Sequence, residues 1–310
     1  MSVVTATLNP CVDKSCVVAR VVPNRKLSAH GVRHDPGGGG LNVARVIVRL
    51  DGQVRALWTC GGSTGERLAA MLEAEGVAHQ PVRIADEIRE NLIVEDRSSK
   101  EQYRFGMPGP ALSEAERGEW LTQLRELSPA PAYLVVSGSL PPGVPIDGFA
   151  ELLAAIPREV RIVVDSKREA LARAVDLGVY LIKPNASELA ELFGEELDDE
   201  FDVEAAGREI VEGGGAEVVL VSLGRGGALL ISAEGTQRFS APEVPLRSKV
   251  GAGDSLVGGL VAGLDRGEAL ADAVARGVAA GAAAVMTPGT ELCRREDVER
   301  LYPRVGRRPS

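Results

Sequence analysis

A glycine-rich turn followed by an aspartate is the segment of this chain best suited to chemistry. It reads SKVGAGDSLVGGLVAGL, and Gly251, Ala252 and Gly253 lead into a helix that carries Asp254 in its first turn. Backbone N–H groups at a helix start lack intrahelical partners and lie at the positive end of the dipole, so they can hold an anion. Asp254 beside them could take a proton from an attacking hydroxyl. The alternative is a tight turn in which Asp254 only caps the helix.

A run of four glycines precedes a second predicted helix. The segment reads PGGGGLNVAR, Pro36–Arg45, and Asn42 falls in the first turn of the helix. Backbone without side chains lets a polar ligand approach closely. No Gly-Lys-Ser/Thr follows, so this is not a Walker A loop, and Asn42 stands where a dinucleotide fingerprint needs its third glycine. A flexible loop is the competing interpretation.

Polar residues also follow the end of a predicted strand in LIKPNASEL, Leu181–Leu189. Lys183 and Asn185 come at the strand end and Glu188 one turn later, so Asn185 and Glu188 share one face there. Ligands of open α/β sheets bind at the carboxyl ends of the strands. An amide and a carboxylate could hold Mg²⁺ through water, since the ion keeps most of its waters. The alternative is a helix cap built from the same residues.

Two further strand ends carry small or polar residues. One is VSLGRGGALL, Val221–Leu230, which taken alone is typical of a simple β-turn. The other is VVSGSLPPG, Val135–Gly143, where Ser137 and Ser139 precede prolines that fix the loop.

Basic residues punctuate the strand-rich parts of the chain at Lys26, Arg89 and Arg104. Each alone is typical of a solvated surface charge. Arginine forks suit phosphate oxygens, and Asp13, near the end of the first strand, would accept hydrogen bonds from sugar hydroxyls. Together these side chains could grip a sugar phosphate.

The elements that must position these residues alternate between strands and helices. Short β-branched runs such as Val54–Thr59, Tyr133–Ser137 and Val160–Asp165 are separated by helical patterns. This alternation predicts an α/β fold with a mostly parallel sheet and helices on both faces. The segments of about 12–35 and 81–107 contain strand patterns without helices, including Pro81–Ile84. They predict a small second sheet beside the main one.

Composition and charge exclude several classes of protein. The 310 residues carry 35 basic and 44 acidic side chains, and this net charge of -9 argues against a general nucleic-acid or membrane surface. No apolar run reaches the ~18–20 residues of a membrane span, and the N-terminal segment lacks a signal-peptide pattern. The four cysteines form no C-x-x-C pair, which favours reduced thiols in a cytoplasmic protein.

From TLNPCVDKS at Thr7 to PGTELC ending at Cys293, the chain resembles the PfkB (ribokinase-like) carbohydrate kinases. The two signature regions of that family correspond to GGGGLNVAR and VGAGDS, and KPNxxEL and SLGxxGAL lie between them in order. Within the family it is most similar to the minor-type bacterial 6-phosphofructokinases, through GGGG before LNVAR, EQYRFGMPG and SGSLPPGV. The resemblance implies one kinase domain over residues 1–310, with a Rossmann-like sheet and a β-sheet lid. The lid would comprise the segments of about 12–35 and 81–107, and two lids would clasp into a homodimer.

The resemblance also assigns roles to individual positions. Asp254 would be the catalytic base, with Gly251, Ala252 and Gly253 as the anion hole. The residues that would hold the sugar phosphate are Asp13, Lys26, Gly38, Gly39, Asn42, Arg89, Arg104 and Ser139. Those that would line the ATP site are Lys183, Asn185, Ser222, Gly224 and Gly227, with Glu188 organising Mg²⁺ through water. Some members bind a monovalent cation such as K⁺ beside the anion hole, at positions that correspond to Ser248, Val250, Ala284, Thr287 and Gly289.

The expected reaction moves the γ-phosphoryl group of MgATP to the C1 hydroxyl of fructose 6-phosphate. Kinases for tagatose 6-phosphate or fructose 1-phosphate stay open, because the sequence does not decide which carbon carries the phosphate. A catalytically silent sugar-phosphate sensor would show damage to Asp254, Asn185 or Glu188, and all three are present. A dinucleotide-dependent oxidoreductase is disfavoured by the missing fingerprint. Lys249 stands before VGAGDS where the family carries threonine, and its ammonium could stand in for the monovalent cation.

Overall fold

The computed structural model describes residues 2–309, whose strands form two sheets. The strands are β1 Val3–Thr7, β2 Cys11–Val18, β3 His30–Gly37, β4 Val54–Cys60, β5 Ala78–Arg83, β6 Arg89–Asp96, β7 Gln102–Phe105, β8 Tyr133–Ser137, β9 Arg161–Asp165, β10 Val179–Ile182, β11 Ala216–Ser222, β12 Gly227–Ser232, β13 Gly235–Ser240 and β14 Gly306–Pro309. The helices are α1 Gly39–Arg49, α2 Gly62–Ala74, α3 Glu114–Arg125, α4 Ile146–Ala154, α5 Glu169–Leu177, α6 Ala186–Phe193, α7 Glu200–Glu212, α8 Ala252–Asp265, α9 Leu270–Ala284 and α10 Arg295–Leu301.

The large sheet has ten strands in the order β14-β13-β12-β11-β10-β9-β8-β1-β4-β5. From β5 to β11 neighbouring strands are parallel, and β12, β13 and β14 then add antiparallel strands at one edge. Successive side chains enter opposite cores, as Val3 and Val4 do in the central strand β1. The expected mostly parallel sheet with helices on both faces is confirmed.

The two faces are covered by different groups of helices. Apolar residues of α1, α2, α8, α9 and α10 pack into one core, and those of α3 to α7 pack into the other. Helix α3 was not predicted, because Trp120 and Leu124 are its only buried residues and most of the remainder is polar. A capping box between Ser113 and Glu116 marks its start and is the signal that could have revealed it.

The small sheet has the order β3-β2-β6-β7. Its strands match most of the segments predicted for a second sheet, with β2 parallel to β6 and antiparallel to β3. The strand expected at Pro81–Ile84 is the exception. It lies in β5, which pairs in parallel with β4 at the edge of the large sheet.

Within residues 2–309, no helix combines the length and apolar character needed to cross a bilayer. The four cysteines are buried free thiols, as expected.

Candidate active site

Polar residues from neighbouring strands converge at one edge of the large sheet. Strand β8 ends at Ser137, β9 at Asp165 and β11 at Ser222, while Lys183 follows β10 directly. These strands are parallel, so their carboxyl ends lie together, at the edge where ligands bind in such sheets. Helices α1 and α8 also begin at this edge, because a Cβ atom added to Gly39 would meet Ser137 Oγ and one added to Gly253 would lie 3.7 Å from Lys183 Nζ.

The start of α8 presents backbone N–H groups that the protein leaves without a capping side chain. Gly251 is the N-cap, with a φ of 74° that a residue with a side chain rarely adopts. A Cβ atom at Gly251 would also lie 2.5 Å from Leu292 Cδ2. The first intrahelical bond runs from the Ser255 N–H to the Gly251 carbonyl at 2.8 Å, so the N–H groups of Ala252, Gly253 and Asp254 precede it. This is the geometry of an anion site.

Asp254 is partly buried in the first turn of α8 and does not cap the helix. Its Oδ2 atom instead accepts a hydrogen bond from Asn42 Nδ2 at 2.8 Å, which joins the two signature segments across the site. Burial raises the pKa of Asp254 to about 7, and the Asp165 carboxylate adds to the rise. The Asn42 bond and the Lys183 ammonium oppose it. A carboxyl with this pKa can both take and release a proton near neutrality.

Lys183 forms a buried ion pair beside the anion site. Its Nζ lies 3.1 Å from Asp165 Oδ1, and a Cβ atom at Gly253 would lie 3.7 Å from the same nitrogen. Burial alone would lower the pKa of Lys183, but the carboxylates of Asp165, Glu188 and Asp254 outweigh it and raise that pKa. The ammonium therefore stays charged. Asp165 was missed by the sequence analysis, although its place at the end of a predicted strand was a usable signal.

The glycine run fits between strand ends rather than forming a flexible loop. Gly38 is the N-cap of α1 with a φ of 113°. A Cβ atom at Gly40 would lie 2.5 Å from Thr7 Oγ1, and one at Gly39 would overlap Ser137 Oγ. The absence of side chains thus lets α1 pack directly on β1 and β8, which brings Asn42 to Asp254.

Asn185 and Glu188 form the helix cap that was the alternative interpretation. The Asn185 side chain accepts from the Glu188 N–H at 2.8 Å, and Glu188 Oε2 accepts from the Asn185 N–H at 2.9 Å. Among residues 2–309 no group of three or more His, Cys, Asp or Glu side chains is arranged to hold a metal.

A cavity of about 700 Å³ opens beside the start of α8. Ser222, Gly224 and Gly227 line it, together with Gly253 and residues of α9. Lys249 is exposed and also lines this cavity.

Two of the predicted sugar-phosphate residues, Asp13 and Arg89, are held by hydrogen bonds within the protein. Asp13 is buried, and its Oδ1 accepts from Asn91 Nδ2 at 2.9 Å. Arg89 donates to the carbonyls of Asn9 and Met107 at 2.9 and 3.0 Å, and its Nε has no partner. Asn9 and Asn91 were not predicted, although Asn9 lies in the quoted TLNP motif.

The other predicted sugar-phosphate side chains are those of Ser139, Lys26 and Arg104. Asn9 Nδ2 donates to Ser139 Oγ at 3.2 Å, so Ser139 joins the Arg89 side of the site. Lys26 and Arg104 are exposed, and within residues 2–309 neither makes a hydrogen bond or ion pair to Asp13 or Asp254. Arg104 donates to Gln102 at 3.4 Å instead.

The positions suggested for a monovalent cation lie around the carboxyl end of α9. The Thr287 hydroxyl donates to the Ala284 and Leu292 carbonyls at 2.8 and 3.0 Å. Ser248 reaches the same region through its N–H, which donates to the Val285 carbonyl at 3.2 Å, and its Oγ accepts from the Val250 N–H at 3.2 Å. The guanidinium of Arg33 donates to the Pro288 carbonyl at 3.1 Å, next to Gly289. Arg33 therefore brings positive charge to this loop, while Lys249 lines the cavity.

A carboxylate that faces helix N–H groups can deprotonate a hydroxyl while negative charge develops on a phosphoryl group, which is the task of a kinase. Sequence comparison leads to the same class, since residues 6–297 match the profile described as pfkB family carbohydrate kinase. The chain belongs to that family.

Three similar proteins align with 84% to 98% of this chain. The chain is 41% identical over 305 residues to the ATP-dependent 6-phosphofructokinase isozyme 2 of Escherichia coli (strain K12), covering 98% of both. It is 42% identical to the enzyme of the same name from Mycobacterium tuberculosis, covering 97% of this chain and 88% of that one. The 1-phosphofructokinase of Xanthomonas campestris pv. campestris is 32% identical and covers 84% of this chain and 83% of its own length.

The solved structure of Phosphofructokinase-2 from Escherichia coli in complex with substrates and products superposes with a TM-score of 0.94. It is 41% identical and covers 98% of this chain and 99% of its own. The same Escherichia coli protein has been solved in complex with potassium and as a tetrameric inhibited form.

Proposed function

We propose that this kinase transfers the γ-phosphoryl group of MgATP to the C1 hydroxyl of fructose 6-phosphate, giving fructose 1,6-bisphosphate and ADP. The observation that carries the proposal is Asp254, whose carboxylate is held by Asn42 beside the open N–H groups of α8. The choice of substrate is supported by the 41% identity to a 6-phosphofructokinase over nearly the whole chain.

In this reaction Asp254 accepts the proton of the C1 hydroxyl. The hydroxyl oxygen bonds to the γ-phosphorus as the bond from that phosphorus to the ADP oxygen breaks. With a pKa of about 7, roughly half of the Asp254 carboxyls are ionised at neutral pH. The N–H groups of Ala252 and Gly253 would hold the transferring oxygens, and the Lys183 ammonium adds fixed positive charge without reorganising.

The nucleotide would occupy the cavity lined by Ser222, Gly224 and Gly227, which extends to Gly253. Lys183 and Asn185 would border it at the phosphate end. Lys249 lines the same cavity and would meet the phosphates with a positive charge.

Mg²⁺ would neutralise charge on the nucleotide phosphates, and Glu188 suits a role through water. One oxygen of Glu188 is engaged in the helix cap, and Oε1 makes no hydrogen bond within the described residues. Mg²⁺ keeps most of its waters in such sites, so the nucleotide phosphates would be its chief ligands.

The sugar phosphate would lie between the two sheets, with the small sheet acting as a lid of one kinase domain. Asp13 would accept hydrogen bonds from the sugar hydroxyls, and the backbone of Gly38 and Gly39 would contact the sugar phosphate beside it. Arg89 is fixed by two carbonyls yet keeps N–H groups for a phosphate oxygen. Ser139 is held by Asn9, and the exposed Lys26 and Arg104 would add charge when the lid closes.

A homodimer through the lid is part of the proposal. Exposed apolar side chains gather on the small sheet and its loops, including Val32 at 52% and Phe105 at 49% exposure. Both lie on edge strands, β3 and β7, whose unpaired edges favour association with another chain.

The proposal also includes a monovalent cation at the carboxyl end of α9. Carbonyl groups at a helix end attract cations, and Ala284 and Thr287 supply oxygens there. The Arg33 guanidinium at Pro288 already brings positive charge to the loop. Activity that is equal in K⁺ and in tetramethylammonium would remove the cation from the proposal.

The test of function is a coupled ADP-release assay with MgATP and fructose 6-phosphate, tagatose 6-phosphate, fructose 1-phosphate, fructose and ribose. A clear kcat/KM preference for fructose 6-phosphate is expected. Preference for fructose 1-phosphate would keep the mechanism and move the substrate to that of the 32%-identical relative. A folded protein that binds ATP and turns over none of the sugars would overturn the proposal.

A further inference from the structure

Arg45 is a fully buried arginine in α1 that has no place in the reaction described so far. Its side chain is 1% exposed. The Nε and Nη2 atoms donate to the Glu75 carboxylate at 2.9 and 2.7 Å. The Nη1 atom donates to the Pro36 carbonyl at 2.9 Å and to Asn42 Oδ1 at 3.0 Å. A buried charge needs partners of this kind, and one of the Arg45 partners, Asn42, is a residue of the active site.

The contact with Arg45 decides which way the Asn42 amide faces. Arginine only donates hydrogen bonds and stays charged at every relevant pH. The carbonyl oxygen of Asn42 must therefore face Arg45, which leaves its NH₂ group to donate to Asp254 Oδ2 at 2.8 Å. A flipped amide would present NH₂ to a guanidinium and a carbonyl to a carboxylate, and both contacts would repel.

Glu75 holds the guanidinium in place through a two-point contact. Burial by itself would raise the pKa of Glu75, but the hydrogen bonds and charge of Arg45 and the charge of Arg49 lower it. The carboxylate therefore stays ionised, and the chain of contacts runs without a break from Glu75 through Arg45 and Asn42 to Asp254. The Pro36 contact ties the start of the glycine run to the same guanidinium.

We propose that Arg45, anchored by Glu75, is a positioning residue that fixes the Asn42 amide so that it always donates to the catalytic carboxylate of Asp254. One carboxylate oxygen is then held by Asn42 and the other is left for the substrate hydroxyl. The charged groups that act on Asp254 from the other elements are Asp165, Lys183 and Asp13. Among residues 2–309, none of these three side chains donates a hydrogen bond to Asp254 Oδ2. This inference rests on Asp254 being the base of the proposed reaction.

The test compares Arg45→Lys, Asn42→Ala and the double variant in kcat and in the pH dependence of kcat/KM. A lysine keeps the charge but lacks the planar fork that bonds Glu75 at two points and also reaches Pro36 and Asn42. We expect Arg45→Lys to lower kcat by about 10²-fold, since small misplacements of a reacting group have this effect. The acidic limb of its kcat/KM profile should move up by about one pH unit, because the ionised carboxylate of Asp254 loses a directed hydrogen-bond donor. Asn42→Ala should move the limb equally, and the double variant no further.

Arg276→Lys is the matched control. Arg276 makes a comparable two-point contact with Glu268, with Nε–Oε1 and Nη2–Oε1 distances of 2.9 and 2.7 Å, in α9. It should alter stability and leave the acidic limb in place. If Arg45→Lys does not fold, Glu75→Gln weakens the same anchor from a partly exposed position and should move the limb in the same direction.

An acidic limb that stays at its original pH in folded Arg45→Lys or in Glu75→Gln would overturn the inference. A carboxyl NMR titration of Asp254 gives the same information without turnover. Failure of the proposed reaction would appear as absent sugar phosphorylation in the unmodified protein. Failure of the Arg45 inference alone would appear as an active Arg45→Lys protein in which Asp254 titrates at the same pH as in the unmodified protein.

Discussion

Replacing Asp254 with asparagine should make the protein more stable at alkaline pH and nearly inactive. In the fold the pKa of Asp254 rises from the ordinary 3.8 to about 7. At 1.36 kcal/mol per pH unit, this rise corresponds to about 4 kcal/mol by which the ionised carboxylate destabilises the folded state. Asp254 stays partly accessible through the cleft, so solvent screening should reduce the value to about 2 kcal/mol.

The sign of the effect follows from which state holds the proton. Below about pH 4 the carboxyl is protonated in both the folded and the unfolded chain, and the asparagine variant gains nothing. Between pH 4 and 7 only the unfolded chain ionises freely, so the stability contributed by the raised pKa is progressively lost. Above pH 7 both states are ionised, and the advantage of asparagine reaches its plateau.

Thermal unfolding of the two proteins from pH 4 to 9 measures this advantage, with Asp198→Asn at an exposed position as the control. A plateau of about 2 kcal/mol corresponds to a Tm that is roughly 4 °C higher for Asp254→Asn at pH 8.5, and the difference should vanish near pH 4. Turnover should fall by about 10³-fold, because a general base typically contributes 10²–10⁴. A variant that is equally stable at every pH, or that keeps near-normal turnover, would refute the reasoning.

Three further variants test the anion site, the nucleotide cavity and the lid. Gly251→Ala should lower the free energy of unfolding in urea by about 2 kcal/mol or more, while Gly267→Ala, which shares its positive φ but faces open space, should lose about 1 kcal/mol. Equal losses would contradict the contact with Leu292. Lys249→Met should raise KM for MgATP about tenfold and leave KM for the sugar phosphate unchanged, and an unchanged nucleotide KM would place the ammonium elsewhere. Phe105→Glu should shift the protein to monomer in sedimentation, whereas Phe201→Glu, at the isolated 76% exposed position in α7, should not.

The sequence was sufficient to predict the mostly parallel sheet, most of its helices and several residues at strand ends, because these follow from short-range pattern. Asp254 and Asn42 lie 212 residues apart, and their bond depends on how α1 and α8 pack. The sequence shows the small residues that permit this packing, but it does not show that α1 and α8 pack against each other. The hydrogen bonds between Asn185 and Glu188 are local, and the helix cap that the sequence offered as an alternative describes them.

The errors have physical causes. The strand at Ala78–Arg83 has the same local pattern as the strands of the small sheet, and only its pairing with β4 assigns it to the large one. Asp165 and Arg45 were overlooked because their importance lies in long-range partners, Lys183 and Glu75. Lys249 lines the cavity beside α8, and its effect on a monovalent cation stays a prediction. Such contacts depend on tertiary structure and leave no periodic signal.

Phosphorus NMR of a mixture of the protein, MgATP and fructose 6-phosphate tests the central claim most directly. The account predicts ADP and a new phosphate monoester on C1 of the sugar with the unmodified protein, and neither at a comparable rate with folded Asp254→Asn. Formation of the C1 ester at an undiminished rate by Asp254→Asn, or release of inorganic phosphate without a sugar product by the unmodified protein, would contradict it.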